Sequence, residues 1–307
     1  MIRFNQMLSS VWLFTLTLTL SLASAGSGLK ESDATKIGFS VIKTASTGLT
    51  PEAVLVEGGS WFKLRQLAQN AVLIRHPKGD VLIDTGLGKN IHQQFEENGF
   101  IDRQLFRFEA LNPVHSQLQN AHYNPANISK IIPTHLHWDH ASGIEDFPLA
   151  EVWVQKAELA QAQQGLAPAH LQSQIDASSI QWHFFNLNNT PYKGFQRSLD
   201  LYQDGSIVLV DLSGHSAAQV GIFLTVSSGE QFFFIGDTTW TAKGIKDNAP
   251  RSELIKWLVH LNFSDEKNET QIARLHQLSK KHKNITLVPA HDELIMAKLP
   301  LYPAVKY

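Results

Sequence analysis

Thr134-His135-Leu136-His137-Trp138-Asp139-His140 follows a short apolar run at residues 130–133 and sets four cation-binding side chains within six residues. In an extended segment, residues i and i+2 project to the same side, so His135 and His137 can grip one ion together. Asp139 and His140 lie where the chain turns away into Ala141-Ser142-Gly143 and can reach a second ion nearby. Imidazole and carboxylate ligands suit zinc, iron or manganese. Four such groups beside a glycine-containing turn read as a metal centre, whereas an isolated histidine reads as a core or surface residue.

Working outward, runs with strand character recur on both sides of the cluster. Residues 71–75 and 81–84 flank the turn His76-Pro77-Lys78-Gly79-Asp80 and read as a hairpin. Further strands are expected at 53–57, 130–133, 151–154, 181–185, 206–211, 220–226, 231–235 and 285–288. Helices are expected at 91–97, 156–164, 252–261 and 269–281. The strands fall into two batches, each followed by helices, with no solenoid period and no Pro/Ser/Gly-rich linker. That pattern predicts a layered α+β arrangement with both batches in one domain over residues 26–307. Residues 100–127 lack clear periodicity and read as a long functional loop or lid.

The amino terminus reads differently. Arg3 precedes an apolar run at 11–23, and Ala23-Ser24-Ala25 offers small residues for cleavage before Gly26. This predicts a secretory signal peptide over residues 1–25 and a periplasmic or secreted protein. The run is short of the ~20 residues that span a bilayer, so no stable membrane insertion is expected after cleavage. The formal charge of −2 gives no general attraction for nucleic acid, and a small-molecule substrate fits better. With 14 histidines and no cysteine, the chain has neither disulfides nor thiolate ligands.

The His-x-His-x-Asp-His pattern after a strand resembles the metallo-β-lactamase superfamily. Later markers match in order: Gly214-His215-Ser216, Phe234-Ile235-Gly236-Asp237-Thr238, and Pro289-Ala290-His291-Asp292. Upstream, Val81-Leu82-Ile83-Asp84-Thr85-Gly86 looks like the early strand and Asp-Thr-Gly turn of that family. The resemblance covers roughly residues 53–295. It implies the four-layer αβ/βα sandwich of the metallo-β-lactamase fold, with loops from both sheets meeting at one edge. It also implies two divalent metal ions, zinc first, with iron, manganese or cobalt as options. His135, His137 and His215 would hold one ion, Asp139, His140 and His291 the other, and Asp237 would be shared. Asp84 is expected to orient a metal-bound imidazole.

Two such ions would bring a bridging hydroxide into reach near neutral pH, and Asp139 is placed to pass a proton to the leaving group. Among branches of the superfamily, the absence of cysteine and the presence of Asp237 argue against the β-lactamases. His137 stands where the iron-dependent oxidoreductases typically have glutamate. The His291-Asp292 pair and the complete ligand set look most like the N-acyl homoserine lactonase branch, with organophosphate triester and aryl sulfate ester hydrolases as alternatives. One position departs from that branch: Trp240 stands where those lactonases often carry a tyrosine, three residues after the shared aspartate. The family also leaves a homodimer open. Trp61, Phe62, Phe106, Phe108 and Trp138 are candidates to line an apolar pocket, and His115 and His122 are weaker ones. His76 and His170 read as structural or surface residues.

Overall fold

The computed structural model describes residues 35–165, 167–259 and 262–307; the expected signal peptide lies outside them. Seven strands form a mixed sheet in the order β6-β1-β4-β5-β7-β8-β9. These are β1 (Gly38–Thr47), β4 (Ala68–Arg75), β5 (Asp80–Ile83), β6 (Phe108–Glu109), β7 (Ile128–Ile132), β8 (Glu151–Val154) and β9 (Gln181–Phe184). A small ribbon pairs β2 (Thr50–Pro51) with β3 (Leu64–Arg65). The second sheet runs in sequence order: β10 (Ser198–Asp200), β11 (Ile207–Asp211), β12 (Val220–Thr225), β13 (Gln231–Phe234) and β14 (Ile285–Val288).

Side chains alternate along a strand, and here both faces of the central strands are apolar. Val72, Ile74, Val81 and Ile83 of the first sheet meet Leu209, Ile222, Leu224, Phe232 and Phe234 of the second. On the first sheet's other face, Leu73, Leu82 and Ile131 pack against Leu118 and Leu159, from the helices Val114–Asn120 and Lys156–Gln164. On the second sheet's other face, Val210, Phe223 and Phe233 pack against Ile245, Leu275 and Leu278, from Ala242–Asp247 and Asp265–Lys281. Each sheet is thus sandwiched between its partner sheet and a helical layer, which explains why these strands read as continuous hydrophobic runs. The result is the expected four-layer α+β sandwich.

Three local expectations are corrected. Residues 53–57 do not form a strand; Glu52–Leu55 is one helical turn, whose residues fit either reading over so short a span. Residues 100–127 are not one long loop, because they hold the helices Phe100–Leu105 and Val114–Asn120 with β6 between them. Short elements of this kind leave no periodicity to read. The ten-residue β1 was not expected, since Lys43 and its small polar neighbours interrupt the apolar pattern and a register shift falls between Lys43 and Ala45. Among the described residues, no helix is long and apolar enough to cross a membrane.

Candidate metal centre

β5 and β7 run parallel, and β11 and β13 point the same way through their shared antiparallel neighbour β12, with β14 parallel to β13. The chain therefore leaves all five strands at one edge of the sandwich, where ligand sites of open α/β sheets form. Asp84 follows β5, His135–His140 follow β7, His215 follows β11, Asp237 follows β13 and His291 follows β14. Gly236 makes the last turn before Asp237 with φ +52°, and a β-carbon there would lie 2.9 Å from Thr134 Oγ1. A side chain at that position would push the two ligand loops apart.

Folding brings all seven sequence-predicted ligands together, each buried or nearly so. Three groups have ligand atoms within 4.8 Å of one another: His135, His137 and His215; His135, His140 and Asp237; and Asp139, His140 and His291. Asp237 sits between the outer two. Its Oδ1 lies 3.0 Å from His291 Nε2 and 3.3 Å from His140 Nε2, and its Oδ2 lies 3.7 Å from His215 Nε2. Asp139 Oδ2 is 3.4 Å from His291 Nε2. Ligand atoms placed about 2.1 Å from an ion at tetrahedral angles are about 3.4 Å apart, so these spacings fit a cation between the groups.

The outer nitrogens of the rings point to the same conclusion. His140 Nδ1 lies 3.0 Å from Asp84 Oδ2, His215 Nδ1 lies 2.8 Å from Asn262 Oδ1, and His291 Nδ1 lies 2.9 Å from the Ala68 carbonyl. Thr134 Oγ1 donates to Asp84, so it accepts from His135 Nδ1 at 3.1 Å. At His135, His215 and His291 the acceptor draws the ring proton to Nδ1 and turns the Nε2 lone pair inward, as metal-bound histidine requires, whereas His140 Nδ1 faces Asp84 as an ion pair without hydrogen-bond geometry. The inward atoms His135 Nε2, His140 Nε2, His215 Nε2 and Asp237 Oδ1 are enclosed without hydrogen-bond partners. Buried polar atoms rarely stay unpaired, and a pair of divalent cations would satisfy all four. The donor set and its spacing fit that role.

The electrostatics divide the cluster. Burial, reinforced by neighbouring histidines, holds His135 and His137 neutral, and burial with Arg251 nearby pushes His215 down to about 3. Burial opposes the charge on Asp237, yet His291 and His140 hold its carboxyl well below the usual range. Burial also works against a charged His140, but Asp84, Asp139 and Asp237 raise it. The cluster thus gathers neutral imidazoles on one side and carboxylates on the other.

Several residues around the cluster carry no motif. Arg251, almost fully enclosed, donates Nη2 to the Asp237 carbonyl and Nη1 to Asn262 Oδ1 at 3.0 Å. Its guanidinium carbon stands 4.6 Å from the Trp240 ring centre. Trp240 Nε1 in turn donates to Asp237 Oδ2 at 2.6 Å. The residue that departs from the lactonase pattern is therefore a brace on the Asp237 carboxylate. Glu158, buried in its helix, accepts from Leu136 N–H, Ser216 Oγ and Ala218 N–H at 2.7–3.0 Å, tying the loops after β7 and β11 together. His170, expected to be structural or at the surface, lies buried with its ring 4.9 Å from that of His137.

A cavity of about 60 Å³ opens onto the ligands, with Leu67, Phe106, Trp138, Pro168 and Trp240 among its walls. Phe106 and Trp138 were expected there. Phe108 packs behind Trp138, whereas Trp61 and Phe62 are 61% and 98% exposed and lie outside the walls. His115 belongs to a separate depression beside Phe147, and His122 does not reach the cavity.

A family model described as the Metallo-beta-lactamase superfamily matches residues 64–291. An N-acyl homoserine lactonase, AttM of Rhizobium radiobacter, is 22% identical over 228 residues, covering 72% of this chain and 80% of its own. The solved structure of an N-acyl homoserine lactone hydrolase, with N-hexanoyl-L-homoserine bound at its catalytic metal centre, matches with a TM-score of 0.67 and 19% identity. It covers 89% of this chain and 99% of that one. AidC, described as a dizinc quorum-quenching lactonase, matches with a TM-score of 0.52 and 15% identity, covering 80% and 76%. At these identities the structural likeness speaks for the fold.

Proposed function

The chain is a metal-dependent hydrolase of the metallo-beta-lactamase superfamily, and we propose that it is an exported lactonase that uses two divalent metal ions. The observation that carries this reading is the convergence of seven ligands, four of whose inward atoms have no hydrogen-bond partner. His135, His137 and His215 would hold one ion and Asp139, His140 and His291 the other, with Asp237 shared. Zinc is the metal we assign, in line with the donor set and with the dizinc relative. Bound there, the ions would supply Lewis acidity for the ring carbonyl and would make water easier to deprotonate near neutral pH.

The protein's own groups do the rest. Asp139 lines the cavity beside His291, where it takes up the proton of the attacking water and returns it to the ring oxygen as the acyl C–O bond breaks. The apolar walls exclude bulk water and accept an uncharged ring. Among the described residues no lysine or arginine lines the cavity, which favours a neutral lactone over an anionic aryl sulfate. Export is supported by the charged, apolar and small-residue succession of residues 1–25.

The test is a kinetic panel of acyl homoserine lactones, dialkyl aryl phosphotriesters, aryl sulfates and cephalosporins, with metal content measured on the same preparation. Lactones should give the highest kcat/KM at close to two ions per chain. A phosphotriester or sulfate that outruns every lactone would overturn the substrate assignment, and full activity with one ion would overturn the two-metal mechanism.

A further inference from the structure

The two ligand sets carry different charge. His135, His137 and His215 offer three neutral rings, whereas Asp139, His140 and His291 include a carboxylate. What stands behind each set widens the difference. Asp84, with its side chain 7% exposed, lies 3.0 Å from His140 Nδ1. Its other partners, the Thr134 N–H and hydroxyl, are neutral.

Behind the three-histidine set stands a cation. The Arg251 guanidinium, 1% exposed, donates Nη1 to Asn262 Oδ1 at 3.0 Å, and that same oxygen lies 2.8 Å from His215 Nδ1. A single oxygen thus separates the guanidinium from the His215 ring. The carboxylate that pairs with Arg251 is that of Asp237, at 3.9 Å, and its Nε is enclosed without a partner. Two other acids lie on this side. Asp265 accepts from Asn262 Nδ2 at 2.5 Å but is exposed, so water and salt screen it. Glu158 is buried behind Leu136 and Ser216, where three N–H and O–H donors already draw on its charge. Enclosing a charge with one loosely placed counter-ion is unfavourable for the fold, and a neutral donor could serve Asn262 as well. What the charge itself changes is the hold on a nearby cation.

We propose that the two metal sites are unequal: the Asp139–His140–His291 site, backed by Asp84, fills first, and Arg251 keeps the His135–His137–His215 site weak, so that the pair is completed only where free metal is plentiful. This inference rests on the two-metal reading and adds its regulation: metal supply sets the fraction of chains that hold both ions.

The test equilibrates the purified holoenzyme against chelator-buffered zinc over a range of free concentrations and counts the ions retained per chain by elemental analysis. Wild type should hold one ion across about two decades of free zinc before the second binds, since a unit charge several ångströms from a dication shifts its affinity by about a hundredfold. His137→Ala should keep the tight step and lose the weak one, and Asp139→Ala should lose the tight one. Arg251→Met and Arg251→Gln remove the charge, and Arg251→Lys keeps it. Both neutral variants should tighten the second step by about tenfold or more, with the first step changed less, while Arg251→Lys keeps the wild-type gap. Replacing a buried charge by a neutral side chain of similar reach is often harmless to stability, and the Tm of each metal-free variant checks that it folds. A brace that only orients Asn262 and Asp237 acts in the opposite direction, so a weaker second step in all three variants would overturn the role of Arg251. Loss of both ions in one step from wild type would overturn the inequality, as would a tight step that survives in Asp139→Ala and vanishes in His137→Ala. A protein that never holds two ions would overturn the two-metal reading as well. No substrate enters the assay, so the lactonase assignment stands or falls separately.

Discussion

Two histidine-centred polar clusters lie in this protein, one at the ligand edge of the sandwich and one around His76, and they differ in how their hydrogen bonds are satisfied. Around His76, a serine, a histidine and an aspartate come together in an arrangement that invites comparison with a nucleophilic triad. His76 Nε2 lies 3.2 Å from Ser206 Oγ and 3.5 Å from Asp204 Oδ2. Its Nδ1, however, accepts the Lys78 N–H at 3.1 Å, so the ring proton sits on Nε2 and the nitrogen facing Ser206 is a donor. Such a histidine cannot take the serine's proton. Ser206 gives that proton to Asp204 instead, and Tyr202 closes the cluster by stacking 4.1 Å from the ring.

At the ligand edge the polarity is reversed. The proton is drawn to the outer nitrogen of His215 and His291, and the inward nitrogens of His135, His140 and His215 have nothing to bond. A saturated cluster holds a fold together, whereas a cluster that leaves four inward atoms without partners is arranged around something else. Side-chain chemistry alone does not separate the two. The position of the proton does.

The sharpest way to break this contrast is to delete one member of each cluster. His137→Ala should lower activity by more than about a hundredfold, exceeding the 10–100-fold typical of losing a residue that only supports a ligand. It should also reduce the metal content of the purified protein, read by elemental analysis. Ser206→Ala should leave kcat/KM and metal content at wild-type values. Comparable losses in the two variants would mean that hydrogen-bond saturation does not distinguish a structural cluster from a reactive one.

A smaller effect sharpens the role of the outer layer. Asn262→Leu removes the acceptor that sets the His215 proton, and Trp240→Phe removes the N–H on Asp237 Oδ2 while keeping a ring for Arg251 to stack on. Each should weaken metal affinity by about 10–100-fold, Trp240→Phe at the lower end because Arg251 still holds the Asp237 backbone. Competition with a chelator of known affinity measures this without relying on turnover. Unchanged metal affinity in both would assign these residues to packing alone.

How much of this was legible in the sequence follows from how local each signal is. The stretch from His135 to His140 announces itself because its ligands are adjacent and end a strand. His215, Asp237 and His291 are legible only as a series, each after a strand and a short turn. Arg251, Asn262 and Glu158 could not be read in this way. They are common residue types on loops and a helix that carry no special spacing, and their roles arise only when distant segments meet. Trp240 was legible as a departure from a pattern, but its bond to Asp237 was not, since a residue's partner is a property of the fold. His76 shows the same limit from the other side: the sequence placed it outside the metal centre, but the reason its cluster is inert lies in the Lys78 amide.

The smallest predicted effect concerns His76 and isolates its structural work. Burial lowers its pKa below the ordinary 6.5, with Lys78 adding to this and Asp204 and Asp80 opposing it. The folded protein therefore prefers the neutral ring, and the unfolded chain binds a proton more readily. With more protons on the unfolded state, stability rises with pH across this window. The contribution of His76 is fully present above about 6.5 and is lost as the pH falls below it. His76→Phe keeps the stack on Tyr202 but loses the bonds to Ser206 and Lys78, which should cost about 1–3 kcal/mol at pH 7.5. Since phenylalanine does not titrate, the gap in stability between wild type and variant should narrow as the pH is lowered to 5, with kcat/KM at pH 7.5 unchanged. Urea unfolding of both proteins at the two pH values measures it, and a gap that widens on acidification would mean that His76 is held in its charged form, with its proton arrangement other than the one that makes its cluster inert.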